Sequence, residues 1–277
     1  YFPQGEKGAF LFLRWVDQFL PLAFTGLFIN IGLFAHLVIM WVGPLQVQVQ
    51  GLFVGAPYHD VPALVAFLTI LVTTVNFVVS VEVNFYPKYK NYYSLFNDKG
   101  AVGDITQAGE EMLKVLNVEL KYTALKQLLA TALAISLGGL LLEYVPLGFN
   151  DLMEGYFRTL CVGYGIYAVA NTILLLLLYF TDYKGALAAS GCFAGGTVLF
   201  TVISLFFPRV YYGFGFLTGS AVFFLIAAFR LDYYTKRLPY YILSVQPVVA
   251  REKRGKFSRL GFFLSKKLER SQNSEKI

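Results

Sequence analysis

Residues 159–181 read TLCVGYGIYAVANTILLLLLYFT, and residues 185–207 read GALAASGCFAGGTVLFTVISLFF. Neither stretch contains an Asp, Glu, Lys or Arg, and only Asp182-Tyr183-Lys184 separates them. About 20 consecutive apolar residues cross a bilayer as an α-helix. Two such runs joined by three polar residues therefore predict a tight antiparallel pair of membrane helices. Strands of a membrane barrel are shorter and alternate apolar with polar positions, a pattern absent here. In hydrocarbon a backbone must satisfy its own polar groups, which leaves helices as the remaining solution.

Working outward, four more apolar runs follow the same rule, at 20–43, 62–86, 124–145 and 212–230. Pro, Gly or charged residues bound them: Pro21 and Pro44, Pro62 and Pro87, Pro146, and Arg230. The expected fold class is all-α, a polytopic membrane protein with six transmembrane helices. Composition agrees: of 277 residues 57% are hydrophobic and 14% charged, against about 25% charged in a soluble domain. The expected organisation is a cytoplasmic lead-in over 1–19, a six-helix lobe over 20–245 and a basic cytoplasmic tail over 246–277. The chain starts at Tyr1 without Met or a signal-peptide layout and reads as a segment already under way.

Charge sets the orientation. With the N-terminus inside, inner segments hold Lys7, Arg14, Lys88, Lys90, Lys99, Lys114, Lys121, Lys126, Lys184 and the twelve basic residues from Arg230 onward. Only Arg158 and Arg209 fall outside, so the positive-inside rule predicts N-in and C-in. In the long inner loop Asp104 and Gln107 form a capping-box start, and Ile105, Ala108, Met112, Val115 and Leu116 recur at helical spacing. This predicts an amphipathic cytoplasmic helix at about 104–123, running into the third span. A solvated linker helix would carry the same spacing.

The tail from 246 holds nine basic and three acidic residues, which is the whole net excess of +6. Phe257, Leu260, Leu264 and Leu268 recur every three or four residues among Lys256, Arg259, Lys266, Lys267 and Arg270. That pattern predicts an interfacial helix with anionic lipid as its partner, and no nucleic acid is implied. A basic extension that only reinforces topology is the alternative.

Polar side chains inside apolar spans are expensive and usually face a bundle interior or a wet cavity. Asn30 and His36 in the first span, with Asn76 and Glu82 in the second, are the candidate transport-pathway residues. The plainer uses are helix–helix hydrogen bonding for the amides, a single hydrogen bond for His36, and an ion pair near Lys88 for Glu82. Asn30 and His36 lie six residues apart, about 120° around a helix, so they border one broad cavity or face different neighbours. Gly191 and Gly195, and Gly215 and Gly219, have the GxxxG spacing of close helix packing. Most of the 19 Tyr and 27 Phe suit an interfacial aromatic belt. Stacking on sugar rings is a second use for them. Two cysteines, Cys161 and Cys192, have no metal-ligand spacing. There is no P-loop, nucleophile elbow or HExxH motif, so neither an enzyme nor a cofactor is expected.

Several segments resemble one family. Thr25-Gly26-Leu27-Phe28 with Asn30, Gly32, Trp41 and Pro44 is similar to one helix of the Pel exopolysaccharide transporter, the PelG family. So are Val81-Glu82 with Phe85, Tyr89, Tyr92 and Tyr93, and Tyr179-Phe180 with Asp182 and Gly185-Ala186-Leu187. Tyr211-Tyr212-Gly213-Phe214-Gly215 and Arg237-Leu238-Pro239-Tyr240 continue the likeness, which spans roughly 2–245. The resemblance implies a twelve-helix flippase-like exporter of the multidrug, oligosaccharidyl-lipid and polysaccharide superfamily, of which this chain is one lobe and the N-terminal lobe is missing. It implies a bacterial inner-membrane exporter of an amino-sugar polymer as cargo. Implied partners are a cytosolic glycosyltransferase and membrane subunits that bind cyclic di-GMP or carry scaffold repeats. His36-Leu37 stands where the family leads one to expect an Asp-Lys pair, so a transport role for that pair does not carry over unchanged. Alternatives are a lipid-linked oligosaccharide flippase, a cation-coupled drug antiporter, or a non-transporting subunit that anchors a synthase.

Overall fold

A computed structural model of the chain describes residues 10, 12–97, 100–144, 149–245 and 255–274; the side chains at 97, 139–144, 243–245 and 267–274 are not among those described. The chain is an all-α polytopic membrane protein. Among the described residues five helices are long and apolar enough to cross a membrane. α1 is Leu13–Val42. A hairpin of β1 (Val47–Gln50) and β2 (Phe53–Gly55) follows, turning at Gly51 with φ 57. A near-continuous helical run then comprises α2 (Pro57–Phe67), a 3-10 turn (Leu68–Ile70), α3 (Leu71–Val79), a π-helical segment (Ser80–Phe85) and α4 (Tyr86–Asn97). α5 is Val102–Tyr144, α6 Asp151–Tyr179, α7 Tyr183–Ser204 and α8 Phe214–Thr235. α9 (Leu238–Val245) and α10 (Lys256–Ser274) end the chain. The expected third span, 124–145, falls in the second half of α5, where side chains from residue 139 lie outside the described ones.

Local chemistry moves several expected boundaries. α6 starts eight residues before the expected span, because the Asn150 side chain accepts from Met153 N at 2.9 Å and caps the helix. Glu154 in the first turn of α6 and Arg158 one turn on pair with each other at 2.5 Å. The amphipathic helix expected at about 104–123 begins at Val102, so Asp104 is a first-turn acid rather than the cap. Its apolar stripe is covered by α4: Met112 is fully buried, and a Cβ on Gly109 would stand 2.9 Å from the Tyr92 ring.

α6 is the hub. Its most apolar window is 72% buried, against 17% for α1 and 22% for the α2–α4 run. α8 and α2 pack along it, and α7 lies between α1 and α8. Phe193 of α7 and Phe223 of α8 stack at 4.8 Å, and Tyr164 of α6 meets Phe216 of α8 at 4.6 Å. Lipid tails are as apolar as these rings, so what holds the helices is close packing and hydrogen bonding rather than escape from water.

The glycine expectation needs correcting in detail. Gly215 and Gly219 do carry the α7–α8 contact, since a Cβ on Gly219 would stand 2.9 Å from Thr197 Cα, and one on Gly215 would overlap the Thr201 backbone. Their opposite numbers are Thr197 and Thr201. Gly191 faces Phe28 of α1 at 3.7 Å, and Gly195 faces open space. The first GxxxG lies on a different side of α7 from the threonines, because α7 serves two neighbours.

The α6–α7 turn is built around Asp182. Thr181 takes the left-handed region at φ 60. Asp182 accepts from Gly185 N at 3.1 Å, capping α7, and receives Arg230 of α8 in a two-pronged pair at 2.5 and 2.8 Å. Tyr234 donates to Phe180 O at 3.0 Å. The Asp182 carboxylate thus ties α7 to α8, and Tyr234 ties α8 to the end of α6.

Candidate functional site

The second and third expected spans meet along a seam of polar side chains. Thr73 donates to Gln127 Oε1 at 2.6 Å, and Gln127 Nε2 to Thr131 at 3.2 Å. Asn76 donates to Thr123 at 2.7 Å and accepts from Lys126 Nζ at 2.5 Å. Asn84 donates to Glu119 at 2.8 Å, and Lys88 pairs with Glu111 at 2.8 Å. The Lys88 ammonium holds the Glu111 carboxyl below its ordinary range. The ladder runs antiparallel from Thr73 to Lys88, about 22 Å of helix. Thr73, Thr123 and Gln127 are buried, while Glu82, Asn84 and Lys126 are exposed.

This register places Lys126 level with Asn76, in the middle of the apolar run 62–86 rather than at its inner end. Lys126, counted among the inner basic residues at the start of the expected third span, thus stands against the middle of the second, because the helices pair 76 with 123. A lysine beside an apolar run with a named amide partner is a candidate functional group.

Glu82 occupies the π-helical segment, a distortion that recurs at functional sites. Its carboxylate accepts from Tyr179 OH, at the end of α6, at 3.0 Å. Tyr89 donates to Tyr179 O at 3.2 Å and stands 4.3 Å from the Tyr93 ring. Thus the aromatic cluster of α4 borders Glu82. The expected Glu82–Lys88 ion pair is not formed, since Lys88 turns to Glu111. Beside Gln127 and Thr131 a groove of about 470 Å³ opens between α5, α6 and α8, lined mostly by apolar side chains such as Leu128, Ile166 and Phe224.

Asn76 lies in this seam, and Glu82 stands beside it on the α6 side of the same helical run, against Tyr179; Asn30 and His36 lie elsewhere. Asn30 is exposed on α1, and its amide donates to Gly26 O at 2.8 Å. His36 is fully buried, with Nε2 3.2 Å from Tyr164 OH and its ring 4.5 Å from Phe216. Only 5.2 Å away is His59, the chain's second histidine, also fully buried. His36 Nδ1 and both His59 nitrogens have no hydrogen-bond partner among the described residues. The 120° offset along α1 thus sends the two candidates to different surroundings. Sequence reasoning passed over His59, Lys126, Gln127 and Tyr179. The pairing of Lys126-Gln127 within an apolar helix, and the scarcity of histidine, were the available signals. Among the described residues no cluster of three or more His, Cys, Asp or Glu could hold a metal.

A family model called PelG, described as "Putative exopolysaccharide Exporter (EPS-E)", matches residues 1–243. No curated protein and no solved structure matches the chain.

Proposed function

Because the chain belongs to the PelG family of exopolysaccharide exporters, we propose that it is a membrane lobe through which a Pel-like amino-sugar polymer leaves the bacterial cytoplasm. The seam between α2–α4 and α5 borders the cargo route. The observation that carries this is the pairing of Asn76 with the exposed Lys126 beside the apolar run 62–86, with Asn84 and Glu82 exposed further along the same run. A charged glycan needs water and polar contacts along its way, and Glu82 offers an anionic contact to a cationic sugar. The tyrosines beside it offer stacking faces. In this reading the lobe works in the inner membrane, N-in and C-in, with a second lobe across the cavity. A cytosolic glycosyltransferase feeds it, alongside membrane subunits that bind cyclic di-GMP or carry scaffold repeats.

Polymer secreted by cells carrying Glu82→Gln or Asn76→Leu tests the route. Export should fall severalfold while the protein's amount in the membrane holds, and normal export by both variants would make the seam a purely structural joint. Cysteines at Gln48 and Asn150 should react with an impermeant reagent from outside, and one at Lys114 should not.

A second reading within the same superfamily is a cation-coupled exporter, and the buried His36–His59 pair favours it, as such coupling needs an ionisable group inside the bundle. His36→Leu separates the two: it should abolish coupled transport, but leave export unchanged where the pair only packs. A non-transporting anchor would tolerate all three substitutions.

A further inference from the structure

The family match ends at residue 243, and α10 lies beyond it. This helix returns to the first residues of α1, where Asp17 caps it. The Asp17 carboxylate accepts from Ser258 N and Ser258 Oγ at 2.7 Å each, and from Phe257 N at 3.2 Å. Unpaired N–H groups and the positive dipole end make a helix N-terminus a favourable place for a carboxylate. Approach is close: a Cβ on Gly261 would stand 2.6 Å from Phe10 O. One side of α10, Ser258 and Gly261, is therefore covered by α1.

Away from that contact stand large apolar side chains, with Phe257 38%, Leu260 47% and Phe263 66% exposed. Lys256, Arg259 and Lys266 are exposed among them. Lys267 and Arg270 belong to the same sequence pattern, and their side chains lie outside the described residues. The position of α10 follows from α1. Thirty residues span about 45 Å, some 15 Å more than a hydrocarbon core requires. Arg14 and Asp17 sit at one end of α1, so the surplus lies there, and α10 meets α1 at the boundary between hydrocarbon and water. A helix at that boundary with exposed aromatic and basic side chains lies in the interface plane.

We propose that α10 is an interfacial clamp that binds the anionic phospholipid surface while Asp17 locks it to α1. Phe257, Leu260 and Phe263 enter the acyl boundary, and Lys256, Arg259 and Lys266 meet headgroup phosphates. Charge complementarity selects this occupant, since the tail from 246 holds nine basic residues and three acidic ones. The clamp sets this arrangement apart from a loose basic tether, because lipid captured by α10 also fixes the start of α1.

Hydrogen exchange on the full chain in nanodiscs tests this. One set of discs is phosphatidylcholine alone, the other contains added phosphatidylglycerol, and the peptide read covers residues 255–266. Each basic side chain near an anionic surface contributes roughly a factor of five. Exchange should therefore be about a hundredfold slower in the anionic discs, and high salt should reverse this. The combined Lys256→Glu, Arg259→Glu and Lys266→Glu variant should lose the difference, with exchange in α6 unchanged as proof of folding. Asp17→Ala should speed exchange of α10 in both discs. Equal, salt-insensitive protection in the two discs would overturn the proposal. Protection that appears only on adding an acidic cytoplasmic protein fraction would overturn it as well, and assign the face to a protein partner.

Discussion

α6 and the α2–α4 run are both long apolar helices, yet the molecule uses them oppositely. α6 buries 72% of its most apolar window, surrounded by α2, α5 and α8, whereas α2–α4 buries 22% of its own. Contacts of α6 are rings and small residues: Tyr164, Tyr167 and Gly163 against Phe216 and Phe223. Contacts of α2–α4 with α5 combine the Tyr92–Gly109 packing with a ladder of hydrogen bonds and an ion pair, and Val75, Val78 and Val83 are left exposed beside them. Polar partners inside a membrane contribute modestly, averaging about 0.6 kcal/mol each. A joint made of them is weak and separable, while a jigsaw of rings has few alternatives. The hub therefore supplies rigidity, and the seam supplies the exposed polar groups on which the proposed route rests.

The sharpest way to break this comparison is to overpack the hub. Gly219→Leu should abolish most folded protein in the membrane, since overpacking costs about 1–3 kcal/mol and more where the neighbour is backbone, as Thr197 is here. Gly195→Leu, pointing into open space, should leave yield and thermal midpoint unchanged. Equal damage from both would mean that Gly195 faces a partner and the contrast is misdrawn.

Next comes Asp182→Ala, which removes the α7 cap and strands Arg230, whose side chain is 31% exposed against 5% for Asp182. Breaking a mostly buried pair costs about 3 kcal/mol. Thermal unfolding in detergent should show that loss, and Asp182→Ala with Arg230→Ala together should lose less than the sum. Additive losses would show that the pair holds nothing jointly.

The seam should respond more gently. Gln127→Leu deletes two hydrogen bonds and should lower stability by about 1 kcal/mol, with export falling more than stability does. A stability loss as large as that of Asp182→Ala would place the seam in the hub. Smallest is Thr181→Asn at the α6–α7 turn. A β-branched residue in the left-handed region is strained, and asparagine tolerates that region better. Stability should rise by less than about 1 kcal/mol, and a fall would mean that the threonine side chain holds the turn.

Much of the fold was legible because hydrocarbon leaves few choices. A run such as 159–181 has no charge to hydrate and must satisfy its backbone internally, so helix, span and hairpin follow from composition and length. The candidate site was legible only in part. Asn76 and Glu82 are expensive wherever they lie, and that expense is visible in the residues themselves. What they touch depends on the register of α3 against α5, which no local pattern states. Lys126 stands at the edge of the expected third span, and only the pairing of Asn76 with Thr123 sets it against the middle of the second.

The sequence by itself determined that this chain is helical, membrane-embedded and related to polysaccharide exporters, because apolar length and motif order are one-dimensional properties. Tertiary structure alone decided which apolar faces are covered and which polar groups meet. It sent His36 to His59 and Asn30 to the surface, brought Thr197 and Thr201 to the glycines of α8, and brought Asp17 to the cap of a helix 241 residues away. The physical reason is that hydrophobicity and helix period are carried by neighbours in the chain. Close packing and hydrogen bonding between helices depend on rotation and register, and these are settled only when all the helices pack at once.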